Sequence, residues 1–455
     1  MNLQLDRRTM KKEVLIGVAC AILLIIGRWT PLRLLSDSSQ FLFFEQPRFW
    51  IVIALVATLF FLPKHKTADL LPKYHVLYLI VPLFVYLMFT GTWAVNPNDA
   101  LQKGFDIFLM LISLVPLLLW LIRGDQEVIQ KSFWLTFIIL AGILGLIAIL
   151  QVMVNPDQYN TTNRVSVLAG GTNAFGRMMG LLCLSTFAIV YRKQSLWGWI
   201  FPILAFLIVI LTGSRGALLA TSVGLVAFLG LQLLTRNWQT ARWWKGSIAV
   251  VVAYMIVIML TPFGQLGWQI FEFRVIDLTL KRQHLAGREM IYEDTLQILW
   301  ADQNEANPDD DPDGANINAN EANPDDDPDG ANINAQVRSQ SVTERVIFGI
   351  GISSFASQSR HNLYSHNIFL ELLTEGGVIS LGIFLTMLGV FAYVLFKYWH
   401  LVDPLAFGAL TLSLMFSQFS GDIYDSRLVF ILLMFCFIRN TTIAQPRPLN
   451  ETQAS

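Results

Sequence analysis

His366-Asn367 and Gly213-Ser214-Arg215-Gly216 are the two short stretches whose residue types and spacing best suit chemistry in this chain. Histidine takes up and returns a proton near neutral pH without a large shift. His366 falls where the run IFLELLTEGG predicts a helix start, and there the helix dipole favours the neutral imidazole that a general base needs. Asn367 is placed to orient it, and His361 is a rival for the same role. The competing reading of His366 is an interfacial hydrogen bond. In LTGSRGA the glycines let backbone approach an oxyanion, while the guanidinium of Arg215 can grip phosphate through two parallel hydrogen bonds. If Gly216 opens a span, its free amides add positive potential beside that arginine. A tight turn with an arginine held by headgroups is the plainer alternative.

Other candidates surround these. Arg288 lies in LAGREMIYEDTLQILW, where Met290, Ile291, Leu296 and Leu299 with Tyr292 predict an amphipathic helix on the bundle or the bilayer. Glu289, Glu293 and Asp294 crowd it, so a salt-bridged surface arginine competes with a ligand. Asn173 and Arg177 fall in GGTNAFGR, within the first turns of a predicted span. A charge there faces a polar cavity or snorkels to headgroups. Arg360 and Asn367 flank the histidines, and Glu371 and Glu375 lie four apart, on one helix face that permits a joint role but also suits solvent. Arginines and a histidine on one side suit a reaction on a pyrophosphate-bearing lipid. Arginines would neutralise the leaving diphosphate, and His366 would deprotonate an acceptor hydroxyl as charge develops at the anomeric carbon. That scheme needs no metal.

The elements that must position these residues are membrane spans. The chain has 455 residues, 54% hydrophobic and 14% charged, with a mean hydropathy of +0.52, against about 25% charged for soluble domains. Twelve spans are predicted, at 14–34, 43–62, 74–90, 105–122, 133–154, 171–191, 196–212, 216–234, 246–262, 378–396, 404–420 and 427–438. Lys and Arg prefer the cytoplasmic side of span ends. The clusters at Arg7 to Lys12, Lys64 to Lys73, Arg123 and Lys131, Arg192-Lys193, Arg236 to Lys245, Lys397 and Arg439 all fall on one side if both termini are inside. The expected fold is therefore an all-α polytopic membrane protein, with spans 1–9 in 1–262, a large outer loop over 263–377, spans 10–12 in 378–438 and a cytoplasmic tail over 439–455. Within the shorter outer loops, GTWAVNPNDALQKG (91–104) predicts an interfacial turn. The first segment reads as a retained helix. Cys20, Cys183 and Cys436 each sit in an apolar run and staple no external loop.

NEANPDDDPDGANINA occurs twice, at 304–319 and 320–335. The copies carry ten acidic residues, leaving the rest of the chain at +9 against a net −1. With no apolar periodicity such a tract makes no core, so a solvated insertion is expected. Asp309, Asp311, Asp313 and Gly314 have the spacing that opens a calcium loop, but Asn320 stands where a bidentate carboxylate belongs and Pro312 interrupts. Diffuse cation attraction competes with a specific site.

GGTNAFGR, LTGSRGALLA, LAGRE, and GIG followed by SHNIFLELLTEGG after a long outer loop resemble, in order and placement, the O-antigen ligase and Wzy polymerase family of bacterial envelope proteins. The similarity runs from about GTWAVNPNDALQKG onward. It implies a GT-C-like bundle in the inner membrane that moves a glycan from undecaprenyl diphosphate onto lipid A core or another lipid-linked glycan, at the extracytoplasmic face. By position, Arg215 and Arg288 would hold the diphosphate and His366 would activate the acceptor, with inversion. Arg177, Asn173, Asn367 and Arg360 would contact substrate. The resemblance implies no metal, cofactor or nucleic-acid partner. Two departures stand out: the repeat separates Arg288 from His366, and Tyr292 replaces an expected tryptophan. The alternatives are a bicarbonate or sugar transporter, and a scaffold whose acidic loop binds a basic partner. A carrier should place ionisable residues inside spans and break its helices, whereas this sequence gathers polar residues on one outer side.

Overall fold

The computed structural model describes residues 7–26, 47–61, 78–155, 159, 164–167, 171–195, 197–235, 248, 251–252, 255–256, 259–281, 288–300, 340–358, 365–420 and 422–436. Among them every regular element is helical. In chain order the α-helices are α1 (Arg7–Ile26), α2 (Pro47–Ala57), α3 (Ile80–Phe89), α4 (Pro97–Arg123), α5 (Gln126–Val154), α6 (Gly171–Lys193), α7 (Ile200–Leu211) and α8 (Arg215–Thr235). They continue as α9 (Pro262–Phe271), α10 (Arg288–Trp300), α11 (Val342–Phe348), α12 (Ser354–Gln358), α13 (Ile368–Lys397), α14 (Pro404–Phe416) and α15 (Arg427–Phe435). Helices α4, α5, α6, α8 and α13 are long and apolar enough to cross a membrane, and α2, α3, α7 and α14 form shorter apolar helices. The protein is thus helical and membrane-embedded.

The long helices start where local chemistry supplies a cap. Asn96 accepts from the amides of Asn98 (3.1 Å) and Asp99 (3.4 Å), with Pro97 in the first helical position. Asp125 caps α5 and Asp403, before Pro404, caps α14. The stretch expected as a turn over 91–104 is therefore a turn only as far as Asn96, and its second half is the first two turns of α4. Lys103 can enter the helix because it meets partners inside the bundle.

Glycine allows two helices to cross closely where lipid gives no hydrophobic drive. A Cβ on Gly224 of α8 would stand 2.9 Å from the carbonyl oxygen of Gly408 on α14, and one on Gly408 would stand 2.9 Å from that of Gly224. Phe430 of α15 meets Phe84 of α3 edge-on at 4.9 Å and Phe384 of α13 at 6.4 Å, locking three helices together. On α10 the residues Tyr292, Leu296 and Trp300, four apart, are exposed, while Ile291, Asp294, Thr295 and Leu299 are buried. The segment is therefore not the one-faced amphipathic helix expected of it: Leu296 and Tyr292 part from Ile291 and Leu299, and Asp294 and Thr295 share the buried face.

Helix α13 is broken. Gly377 has φ 67° and ψ −169°, which splits the helix into 368–376 and 378–397. Carbonyls freed by a break inside a bilayer must find other donors. Here the loop after α11 supplies them: the Ile350 amide donates to the Thr374 carbonyl (2.8 Å) and the Gly351 amide to that of Glu375 (3.1 Å). Gly349 lies so close that a Cβ on it would sit 2.5 Å from the Glu375 carbonyl. The same loop is held from the other side, since Ile352 donates to Thr90 Oγ1 (3.1 Å) and Val95 to Ser354 Oγ (3.0 Å).

Candidate functional site

The turn between α7 and α8 is self-contained. Thr212 Oγ1 donates to the Val209 carbonyl (2.7 Å) and accepts from the Ser214 amide (3.3 Å). Ser214 Oγ accepts from the Ala217 amide at 3.2 Å and so caps α8. Arg215, not Gly216, is consequently the first helical residue. Gly213, at φ 60°, lies beneath the stem of Arg164, whose Cδ would be 2.9 Å from a Cβ at that position. The Val165 amide reaches the Leu211 carbonyl (3.4 Å), which pins Arg164 to the end of α7.

From the opposite wall comes Arg274, carried by the π-helix Glu272–Lys281 that continues α9. It joins Gly213, Ser214 and Arg215 in lining a narrow cleft of about 10 Å³, walled otherwise by Val209, Ile210, Leu218 and Ile270. Burial, and then the like charges of Arg164 and Arg215, push the Arg274 guanidinium below its usual range. Three guanidinium groups this near one another repel, and an anion entering the cavity would relieve that repulsion while accepting charge-assisted hydrogen bonds.

The segment 417–426, between α14 and α15, ties this cavity to the start of α13. A Cβ on Gly216 would lie 2.6 Å from Phe419 Cβ, and the Ile368 amide donates to the Ser417 carbonyl at 3.0 Å. His366 therefore stands two residues from a contact with the same short segment that packs on Gly216. Its backbone is left-handed, with φ 48°, a conformation that costs a side-chain-bearing residue about 1–3 kcal/mol and that histidine enters more readily than most. Asn367 has a structural task beside the orienting one expected of it. Its Oδ1 accepts from the amides of Phe369 (2.9 Å) and Leu370 (3.3 Å), so it caps α13, which begins at Ile368.

Arg177 is also committed. Its Nη1 donates to the Asp425 carbonyl at 2.6 Å and its guanidinium lies 5.0 Å from the Phe416 ring. It braces the 417–426 segment, and its helix packs on the arginine turn, because a Cβ on Gly176 would sit 2.8 Å from Ala217 Cβ and 2.9 Å from Thr212 Oγ1. GGTNAFGR and LTGSRGA are thus neighbours in space. Asn173 lies in the first turn of α6, partly exposed. Arg288 opens α10, and Arg360, His361 and the repeat with Asp309, Asp311 and Asp313 lie outside the described residues.

Buried charge inside the helices departs most from the sequence reading. Glu371 and Glu375 do not face solvent: both pack on Lys103 of α4, with Glu371 Oε1 2.5 Å from Nζ and both Glu375 oxygens 2.7 Å from it. Asp422 stands within electrostatic reach of Lys103 and of Arg177. Nearby, Arg48 of α2 pairs with Asp106 of α4 at 2.6 Å, and Arg427 donates to the Leu24 carbonyl of α1 at 2.8 Å. Lys103, Glu371, Glu375 and Asp422 all belong to stretches the sequence assigns to the outer side, so what departs from the expectation is their burial. Lys103 and Asp106, three apart at the edge of an apolar run, were the available signal, but only their partners show that they are buried by pairing.

No protein-family model matches the chain, and no curated protein matches it.

Proposed function

We propose that this protein transfers a glycan from an undecaprenyl-diphosphate-linked donor to an acceptor hydroxyl, on lipid A core or on another lipid-linked glycan. The topology that goes with this reading is a GT-C-like bundle of twelve spans in the bacterial inner membrane, with both termini cytoplasmic and the site extracytoplasmic. One observation carries it: Arg215 and Arg274 line one cleft with Arg164 within electrostatic reach of Arg274, and the segment that carries His366 is joined to this turn through Ser417 and Phe419. In this scheme the guanidinium groups take the diphosphate, whose bond to the anomeric carbon breaks as the acceptor oxygen attacks. His366 receives the hydroxyl proton, and undecaprenyl diphosphate leaves. Arg177 positions the 417–426 segment. Arg288 is retained as a second diphosphate ligand on the resemblance alone.

A carrier is the second reading, and it has its own support in the break at Gly377 and the buried Lys103, Glu371 and Glu375. Purified protein in vesicles, given an undecaprenyl-diphosphate oligosaccharide with and without lipid A core, separates them. Chain extension without the acceptor indicates polymerisation, and product only with it indicates ligation. Silence in both arms with the matching donor, together with uptake of bicarbonate or sugar by the same vesicles, would replace transfer by transport.

A further inference from the structure

We propose that Lys103, Glu371 and Glu375 form a proton-binding site, distinct from the arginine cavity, that holds one exchangeable proton on Glu371 in the resting protein. The inference starts from charge. Two carboxylates and one ammonium meet where their side chains are only 3%, 5% and 7% exposed, for Glu371, Glu375 and Lys103 respectively. Ionised throughout, the group carries an uncompensated negative charge away from water, which a low-dielectric interior strongly disfavours. Asp422 adds to the negative potential rather than relieving it.

The geometry says which carboxylate takes the proton. Lys103 Nζ bonds both oxygens of Glu375, each at 2.7 Å, so that pair is complete. Glu371 has only Oε1 beside the same nitrogen, at 2.5 Å, and its Oε2 is buried with no hydrogen-bond partner among the described residues. A bare carboxylate oxygen in that position is costly, whereas a neutral carboxylic acid is not. A metal ion fits less well: the ammonium already occupies the space between the carboxylates. Among the described residues no three acidic, histidine or cysteine groups converge as ligands.

Among the described residues Lys103 is the one cation within ion-pair distance of Glu371 or Glu375. Helix α11 offers Arg345, whose Nη1 goes to the Ile298 carbonyl, and Glu344, which caps its own helix. Helix α3 offers Tyr86, whose hydroxyl goes to the Phe348 carbonyl, and α10 offers the acidic Glu293 and Asp294. The site sits on the short half-helix 368–376, between the Asn367 cap and the Gly377 break. Losing its proton would set Glu371 against Glu375 and Asp422 and loosen the half-helix from α4. The inference rests on neither reading of function above.

The test is infrared difference spectroscopy of the full chain in nanodiscs, following the carbonyl stretch of a buried, protonated carboxylic acid in water and in deuterium oxide. The native protein should show this band, shifted by deuterium and lost on alkaline titration. E371Q should lack it, because Lys103 and Glu375 then balance. K103M should gain a second band of similar area, since both carboxylates must then be neutral. A native protein without the band, a band that survives E371Q, or one displaced by sodium or potassium at constant pH would each overturn the proposal. Should K103M fail to accumulate, the native titration and E371Q decide alone.

Discussion

Replacing Gly377 by alanine tests whether the break in α13 is built into the backbone or merely tolerated. At φ 67° and ψ −169° the residue occupies a region open essentially to glycine, and forcing a side chain there costs about 1–3 kcal/mol. An added Cβ would also overlap the Ile347 carbonyl and stand 2.6 Å from the Gly349 amide nitrogen. All of these are backbone atoms, which cannot rotate aside. Relief requires the 349–351 loop to withdraw, which removes the bonds from Ile350 to Thr374 and from Gly351 to Glu375, each with a net worth of about 0.5–1.5 kcal/mol. The expected loss is therefore about 2–6 kcal/mol in sum. Gly382 provides a matched control on the same helix, because a Cβ there meets nothing within 4 Å, and alanine at such a site should gain up to about 1 kcal/mol. Unfolding of both variants in the same nanodiscs, followed by tryptophan fluorescence, measures the difference. Equal stability of the two variants would refute the account of the break and of the loop that fills it.

Further outcomes are expected of other variants. K103Q leaves the buried Glu375 carboxylate without its cation and should cost about 3–5 kcal/mol, while E371Q should stay within about 1 kcal/mol of the native protein; both are read by the same unfolding measurement. N367A removes the cap of α13 and should lose about 0.5–2 kcal/mol, which N367D restores; failure of aspartate to restore stability would point to a role beyond capping. R215K should lose most glycan transfer in the vesicle assay, because a point charge cannot reproduce a two-pronged grip, and an unchanged rate would make the arginine structural. H366A should accumulate normally yet transfer nothing, and removing 304–335 should leave transfer largely intact; the reverse pattern would move the chemistry into the repeat.

Several features of the fold were legible in the chain because their causes are local. Apolar length marks the long helices, and the pairs Asn96-Pro97 and Asp403-Pro404 announce where α4 and α14 begin. The turn at Gly213 to Arg215 follows equally from residue type, whereas α10 buries Asp294 and Thr295 and exposes Leu296, against its expected face. The site was legible in part, as separate motifs. What joined them was tertiary: Gly176 against Ala217, Gly216 against Phe419, and Arg164 and Arg274 beside Arg215. The turn expected over 91–104 ends at Asn96 because that side chain caps α4. Lys103 and Glu375 are 272 residues apart, and no periodicity in either segment encodes their meeting. A charge inside an apolar helix is tolerable only when its counter-charge is present, so its burial belongs to the folded assembly of helices. The GIG and EGG glycines obey the same logic, since Gly349 and Gly377 are required only by the backbone that each approaches.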